Sequence, residues 1–108
     1  MLNTVILQRM KLRKFRWSKD YESAEEELIE LLGRKHIEAR RIHVEPHEEL
    51  HRTFTQSGQI WCAEGSFIIK INDTTFSMQP GDALDIPHDS KMSGMSGMTG
   101  CAYYLNEL

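Results

Sequence analysis

Histidines are the residues of this 108-residue chain best suited to bind a metal or move a proton. His43, His47 and His51 recur at a spacing of four, and His88 lies far along the chain. Imidazole binds the divalent ions of Fe, Mn, Ni, Zn or Cu. The sequence therefore allows a metal site built from His47, His51 and His88. The alternative is that these are surface or turn histidines, because Pro46 prevents a helix from aligning the first three.

A repeated Met-Ser-Gly pattern places Met92, Met95 and Met98 three residues apart. Three thioethers at this spacing could bind Cu(I), a soft ion that accepts sulfur. The alternative is a flexible Gly-Ser loop whose methionines pack over one end of the fold. Such a loop could also act as a lid over a ligand pocket.

Two cysteines and two aspartates offer further chemistry. Cys62 and Cys101 form no Cys-x-x-Cys pair, and we expect both to be reduced thiols. A Cys62–His51 nucleophilic pair is the weaker hypothesis, because buried strand cysteines usually serve packing. Asp82 follows a Pro-Gly turn, whereas Asp85 alternates with apolar residues and is expected to point inward. A buried carboxylate needs an Arg or His partner.

The elements that must position these residues are mostly short strands. Turn signals recur every 7–10 residues between β-branched and aromatic runs after residue 37. This pattern is typical of an all-β sandwich or small barrel. The predicted strands are 37–44, 59–63, 66–71, 74–78, 83–86 and 101–105.

Residues 23–32 are predicted to form a helix. Ser23 and Glu26 have the spacing of a capping box, and acidic residues fill the first turn, where the helix dipole favours them. Gly33 suits the C′ position after the last turn. A helix this short must pack against another element. Its apolar stripe consists of Leu28, Ile29, Leu31 and Leu32.

Charge is distributed unevenly near the start of the chain. Residues 1–17 contain five bases and no acid, and residues 20–30 contain six acids and no base. We predict an edge strand over 4–16 with its bases in water, with a helix as the alternative. The two charged segments either neutralise each other or lie in solvent. A basic arm for RNA or an anionic membrane is disfavoured by the net charge of −3.

The segment from Gly81 to Pro87, together with Gly65 and the turn at 72–73, resembles the cupin superfamily. The resemblance covers about residues 40–105. It implies a double-stranded β-helix, or jelly-roll barrel, that often forms dimers. It also implies a mononuclear metal inside the barrel, held by three His and one Glu.

The ligand positions of that family fall on residues of other types in this chain. Counted from Gly65 and Gly81, the positions are His51, Thr53, Gly58 and Met92. Only His51 keeps a ligand type, whereas a divalent ion needs three or four protein ligands. The usual metal site is therefore expected to have decayed.

A fold does not determine a function, so three hypotheses follow. The first is a small-molecule-binding or sensing domain in which His51 orients the ligand or acts as a general base. The second is a metal-dependent oxygenase or isomerase that uses the rearranged histidine site. The third is a structural dimerisation module that uses apolar residues of the first segment. The pocket of the first hypothesis is lined by His51, Thr53, Gln59, Trp61, Asp85, Met92 and Tyr103. The apolar residues of the third are Val5, Leu7, Leu12, Phe15 and Trp17.

Composition limits the class of protein. No apolar run approaches the ~20 residues that cross a bilayer, and the start of the chain does not resemble a secretory signal. We expect one cytoplasmic domain over 1–108, with a small-molecule ligand, a second copy as partner, and neither nucleic acid nor membrane. Its parts are a basic segment or strand over 1–17, the helix over 23–32 and the barrel over 37–108.

Overall fold

The structure is a computed structural model that describes residues 11–20 and 22–107. Val5 and Leu7, and with them most of the predicted 4–16 strand, lie outside the described residues. Helix α1 (Ala24–Arg34) lies between the first two strands. The strands are β1 (Arg13–Arg16), β2 (Arg40–Val44), β3 (Glu49–Phe54), β4 (Gly58–Ile71), β5 (Thr74–Met78), β6 (Asp82–Ile86) and β7 (Ser90–Glu107).

Two long strands, β4 and β7, each take part in both layers of the fold. Their pairing shifts register between Cys62 and Glu64 and between Gly65 and Phe67. Such bulges bend strands, so the two halves of each strand enter different sheets. The hydrogen bonds form one continuous seven-stranded sheet, and the bulges divide it into a first sheet with the order β1-β6-β4-β7-β2 and a second in which β3 and β5 join β7 and β4. This is the predicted all-β jelly-roll barrel with one helix.

The barrel interior is filled by apolar side chains that alternate along every strand. Phe54, Ile60, Ile69, Leu84 and Ile86 are fully buried in one cluster with side chains from both sheets. The interior therefore forms the main core of the described residues.

Helix α1 covers the outer face of the first sheet. Leu28 and Leu32 pack there against Trp61 and Ala83, and Trp17 Nε1 donates to the carbonyl oxygen of Ala24 at 3.0 Å. This second cluster supplies the packing that a short helix needs. No described helix is long and apolar enough to cross a membrane.

Both ends of α1 differ from the sequence prediction. Ser23 makes no side-chain cap to the helix, because its hydroxyl donates to Asp20 at 2.8 Å. Gly33 lies inside the helix, and His36 takes the left-handed position with φ 55°. Ile37 N–H donates to the Leu32 carbonyl and His36 N–H to the Gly33 carbonyl, which together form a Schellman motif.

The strand prediction erred in three places. β3 was not predicted, because its acidic, basic and turn-like neighbours hid the apolar alternation of Leu50 and Phe54. The predicted break at Gly65 is a bulge inside β4, where Gly65 has φ 69°. The Met-Ser-Gly repeat belongs to β7 and pairs with β3 and β4, so it is neither a loop nor a lid.

Strand β1 lies at the edge of the first sheet, as predicted, and pairs antiparallel with β6. Its bases form ion pairs with carboxylates of β6. Arg13 Nη2 lies 3.0 Å from Asp85 Oδ2, and Lys14 and Arg16 both contact the buried Asp82 carboxylate. The basic residues of β1 therefore stabilise its pairing with β6.

Candidate functional site

Strand β3 carries the histidine that the sequence singles out, but that histidine faces away from the barrel. Leu50 and Phe54 are buried in the core, so the alternating positions His51 and Thr53 point outward and are exposed. His51 Nε2 lies 3.1 Å from Glu49 Oε2 on the same outer face. Neither His51 nor Thr53 lines the barrel interior, which corrects the predicted pocket.

The inward positions nearest the family's ligand positions hold residues that do not bind a divalent metal. Gly58 has no side chain, and a Cβ there would meet the Asn106 carbonyl oxygen and the Phe54 ring. Met92 faces inward and is 4% exposed, but a thioether is a poor ligand for a hard ion. Arg52 is a cation on the inward face of β3. This donor set does not fit the family's metal.

The rearranged histidine site is not assembled either. His47 occupies a turn with φ 57°, His88 lies in the turn before β7, and His51 lies on the outer face of β3. All three are exposed. Within 11–20 and 22–107, no group of three or more His, Cys, Asp or Glu side chains could hold a metal ion.

Three other predicted pocket residues lie on the outside of the first sheet. Gln59 Nε2 donates to Asp85 Oδ1 at 2.8 Å, and Arg13 pairs with the other oxygen of that carboxylate. Asp85 therefore has the predicted Arg partner, but on the outer face rather than inside. Trp61 is buried beneath α1. These three residues stabilise the β1 and helix side of the fold.

Tyr103 and Met92 are the members of the predicted pocket that do enter the barrel. The Tyr103 ring lies 5.5 Å from the Phe67 ring, between the two sheets. Burial raises the pKa of the Tyr103 hydroxyl, and the positive charges of Arg52 and Arg40 oppose that rise. Two cations from two strands therefore lie close enough to Tyr103 to act on it.

These cations belong to an opening between β2 and β3. Both strands lie on the same side of β7: β2 pairs with its second half and β3 with its first half. Each is an edge of its sheet, and within the described residues the two strands pair with β7 and not with each other. We call the space between these two edges the edge cleft. Its residues are Arg40 and Ile42 of β2, Leu50 and Arg52 of β3, and Tyr103, Leu105 and Glu107 of β7.

One ion pair crosses the edge cleft. Arg52 Nη1 donates to Glu107 Oε1 at 2.8 Å, and the two side chains are 27% and 30% exposed. The side chain of Arg40 is exposed and makes no hydrogen bond or ion pair with the described residues. Among those residues the cleft therefore holds one paired and one unpaired guanidinium over apolar neighbours.

A surface groove of about 460 Å³ continues from the edge cleft along the end of β7. It contains Arg40, Leu105 and Glu107, and also Asn106, whose Nδ2 donates to the Glu38 carbonyl oxygen at 2.7 Å. Asn106 Oδ1 is buried, and it is the one such side-chain atom in the described residues without a hydrogen-bond partner. The groove thus combines charged, apolar and hydrogen-bonding groups.

Arg40, Arg52 and Glu107 were not among the site residues predicted from the sequence. The missed signal was the alternation of Leu50, Arg52 and Phe54, which places Arg52 on the apolar face. Arg40 and Glu107 carried no comparable signal, because their position depends on the pairing of β2 with β7.

The remaining candidate groups do not form sites. Cys62 and Cys101 are buried free thiols, and burial raises the pKa of both. Cys62 lies in the barrel core whereas His51 is exposed on the outer face of β3, so the two do not form a nucleophilic pair. Met92 is buried, whereas Met95 and Met98 are exposed by 46% and 82%. The three thioethers therefore do not converge on a Cu(I) ion.

Comparisons with known proteins identify the fold. No protein-family model and no curated protein matches the chain. A Photorhabdus luminescens protein superposes with a TM-score of 0.57 at 25% identity, over 62% of this chain and 57% of the other. The chain therefore matches little more than half the length of that protein.

Two further solved structures cover most of this chain. A DUF861 family protein from Thermotoga maritima has a TM-score of 0.61 at 12% identity, over 91% of this chain and 100% of the other. Salicylate 1,2-dioxygenase from Pseudoaminobacter salicylatoxidans, solved with gentisate, has a TM-score of 0.52 at 16% identity. That match covers 86% of this chain and 32% of the dioxygenase.

Proposed function

The chain has the fold of the cupin superfamily, and on that premise we propose that it is a small-molecule-binding or sensing domain. The ligand binds in the edge cleft and is held by side chains of this protein rather than by a metal at the family's usual position. The observation that carries the proposal is Arg52, a partly buried cation on the inward face of β3 that bonds to Glu107 at the end of β7.

The composition of the edge cleft supports ligand binding. Small-molecule sites combine apolar walls with a few polar groups that fix orientation. Ile42 and Leu50 supply the apolar walls, and both contribute to the barrel core. Arg40, Arg52 and the Tyr103 hydroxyl supply polar groups from three different strands. A ligand in the edge cleft would contact residues of both sheets.

A fragment screen followed by amide NMR tests the proposal. We expect members of a mixed library of neutral, cationic and anionic fragments to shift the amide signals of β2, β3 and the end of β7. The exposed outer residues of β5 serve as the internal control. A library that leaves the edge-cleft amides unmoved would overturn the proposal.

Metal content distinguishes this proposal from the metal-dependent oxygenase or isomerase. Protein purified without an affinity tag is measured by elemental mass spectrometry beside His51→Ala, before and after incubation with Fe, Mn, Ni, Zn or Cu. We expect no stoichiometric metal in either protein. Near-stoichiometric metal that His51→Ala loses would favour the enzyme with a rearranged histidine site.

The structural dimerisation module is less well supported by the residues assigned to it. Leu12 packs against the barrel core, and Phe15 and Trp17 pack against the helix cluster, so these side chains are used within the chain. We keep the homodimer as a proposal, tested by the mass in solution from light scattering. A monomer mass at every concentration would contradict it.

A further inference from the structure

We propose that the ligand of the edge cleft carries a carboxylate, which the guanidinium groups of Arg40 and Arg52 bind beside the Tyr103 hydroxyl. This inference rests on the proposed function and adds the chemical class of the ligand. Three features support the inference. Arg52 has unused N–H donors, Arg40 and Arg52 belong to different sheets, and apolar side chains lie between them.

Arg52 has most of its donors available. A guanidinium carries five N–H donors in a planar fork that matches the two oxygens of a carboxylate. Glu107 accepts one hydrogen bond from Nη1, and the structure shows no second bond from this side chain to the described residues. The existing bond holds the guanidinium at the opening, which reduces the entropy lost when a ligand binds.

Arg40 approaches the same place from the opposite sheet. It shares the inward face of β2 with Ile42 and Val44, and its Cα partner across the ladder is Leu105. Arg40 lines one groove together with Leu105 and Glu107, and Glu107 accepts the hydrogen bond of Arg52, so both guanidinium groups belong to the same end of β7. A carboxylate between them would gain two charge-assisted interactions.

Two acidic residues limit the charge of the site. Glu107 neutralises Arg52, and Glu38 lies in the adjoining groove. Among residues 11–20 and 22–107, the charge left unpaired here is therefore that of Arg40, and the carboxylate of Glu107 occupies a place that a ligand carboxylate would share. Glu107 is thus an internal competitor of the ligand. The apolar side chains of Ile42 and Leu105 favour a ligand whose carboxylate is attached to a small apolar body.

The test uses matched pairs of probes and the whole chain. Benzoate, phenylacetate and hexanoate are each titrated beside the corresponding primary amide, which keeps the shape and removes the charge. Edge-cleft amide shifts report binding. We expect the acids to bind about tenfold more tightly than the amides, because charged acceptors form the stronger bonds with Arg. We also expect added salt to weaken the acids more than the amides.

Variants assign the effect to the two arginines. Arg40→Met, which breaks no bond in the described structure, is expected to weaken the acids about fivefold or more. Lys70→Met removes an equal charge from an exposed position on the second sheet and is expected to leave their affinity unchanged. Glu107→Gln is expected to raise the affinity for the acids severalfold. Because Arg52→Met alone leaves Glu107 without a partner, Arg52 is tested as Arg52→Met with Glu107→Gln, which is expected to bind the acids more weakly than Glu107→Gln alone.

The outcomes separate the two proposals. Acids and amides that bind the edge cleft equally would overturn the carboxylate inference and leave the proposed function standing. An acid preference that Arg40→Met and Lys70→Met reduce equally would also overturn it, because the effect would then come from net charge alone. If neither these probes nor the mixed library shifts the edge-cleft amides, both proposals fail.

Discussion

The hydroxyl of Tyr104 on β7 donates a hydrogen bond to Glu25 Oε2 in the first turn of α1, at 2.7 Å. The same carboxylate oxygen accepts a bond from Arg41 Nε at 2.7 Å, and Arg41 Nη2 reaches Glu64 Oε2 at 2.9 Å. One glutamate therefore connects the helix to two strands of the sheet beneath it. Because protonation of Glu25 would remove the negative charge from this network, we expect the attachment of the helix to depend on pH.

The first prediction concerns that pH dependence. Arg41, helped by the Tyr104 hydroxyl, lowers the pKa of the Glu25 carboxyl below its usual value. A carboxyl whose pKa is lower in the folded state stabilises the protein above its unfolded pKa, and this contribution is lost as the pH falls through the folded value. Since the pair is partly exposed, we expect Glu25→Gln to cost about 0.5–1 kcal/mol at neutral pH.

Urea unfolding of wild type and Glu25→Gln, at neutral pH and at about pH 3, measures the effect. The stability difference should shrink as the pH falls, because protonation of the Glu25 carboxyl removes the charge that its partners stabilise. Glu26→Gln is the control, because Glu26 is exposed in the same turn of the helix. A difference that stays constant with pH would contradict the assignment to Glu25.

The second prediction concerns the packing of α1. Leu28 is fully buried against the first sheet, whereas the next residue, Ile29, is 55% exposed. We expect Leu28→Ala to reduce the free energy of unfolding by about 2–5 kcal/mol, since it leaves a cavity. Ile29→Ala should change it by less than about 0.5 kcal/mol. Urea unfolding measures both variants. Equal losses of unfolding free energy in Leu28→Ala and Ile29→Ala would show that the helix does not pack as described.

The third prediction compares two glycines. Gly33 lies inside α1, and a Cβ there would meet nothing within 4 Å, so Gly33→Ala should stabilise the protein by about 0.5–1 kcal/mol. Gly65 has φ 69° at the bulge of β4, and a Cβ would overlap the Gly100 carbonyl oxygen. Gly65→Ala should therefore destabilise strongly. The melting temperatures of the two variants measure the predicted gain and the predicted loss of stability. A Gly65→Ala variant as stable as the wild type would contradict the bulge at Gly65.

The fourth prediction concerns the end of the helix. His36 has φ 55° and occupies the C′ position of the Schellman motif, where glycine is favoured. An L residue in this conformation costs about 1 kcal/mol, so we expect His36→Gly to raise the melting temperature by a few degrees. His36→Ala keeps the strain and serves as the control. A lower melting temperature for His36→Gly would show that His36 does not occupy the C′ position of the helix.

The fifth prediction concerns the thiols. Burial raises the pKa of Cys101 to about 11 and that of Cys62 further. Because the thiolate is the reactive form, neither thiol should react with a thiol reagent in the folded protein near neutral pH, and both should react in denaturant. Ser77→Cys supplies an exposed thiol as the positive control. Rapid labelling of the native wild type would contradict the buried placement.

The sequence by itself determined the type of most elements and the fold class. Turn residues between short apolar runs predicted the strands, and the acidic start and leucine stripe of α1 predicted the helix. These signals are local, since they depend on residues a few positions apart. The strand predictions failed where the local signal was ambiguous. At Gly65, for example, both a turn and a bulge favour glycine.

Only the tertiary structure decided which residues share a site. A shift of one residue exchanges the two faces of a strand, so the sequence could not place His51 outside and Arg52 inside without the buried neighbours of β3. The edge cleft depends on more distant pairing. Arg40, Arg52 and Glu107 meet because β2 and β3 lie on the same side of the two halves of β7, and this long-range arrangement is fixed by packing of the whole barrel.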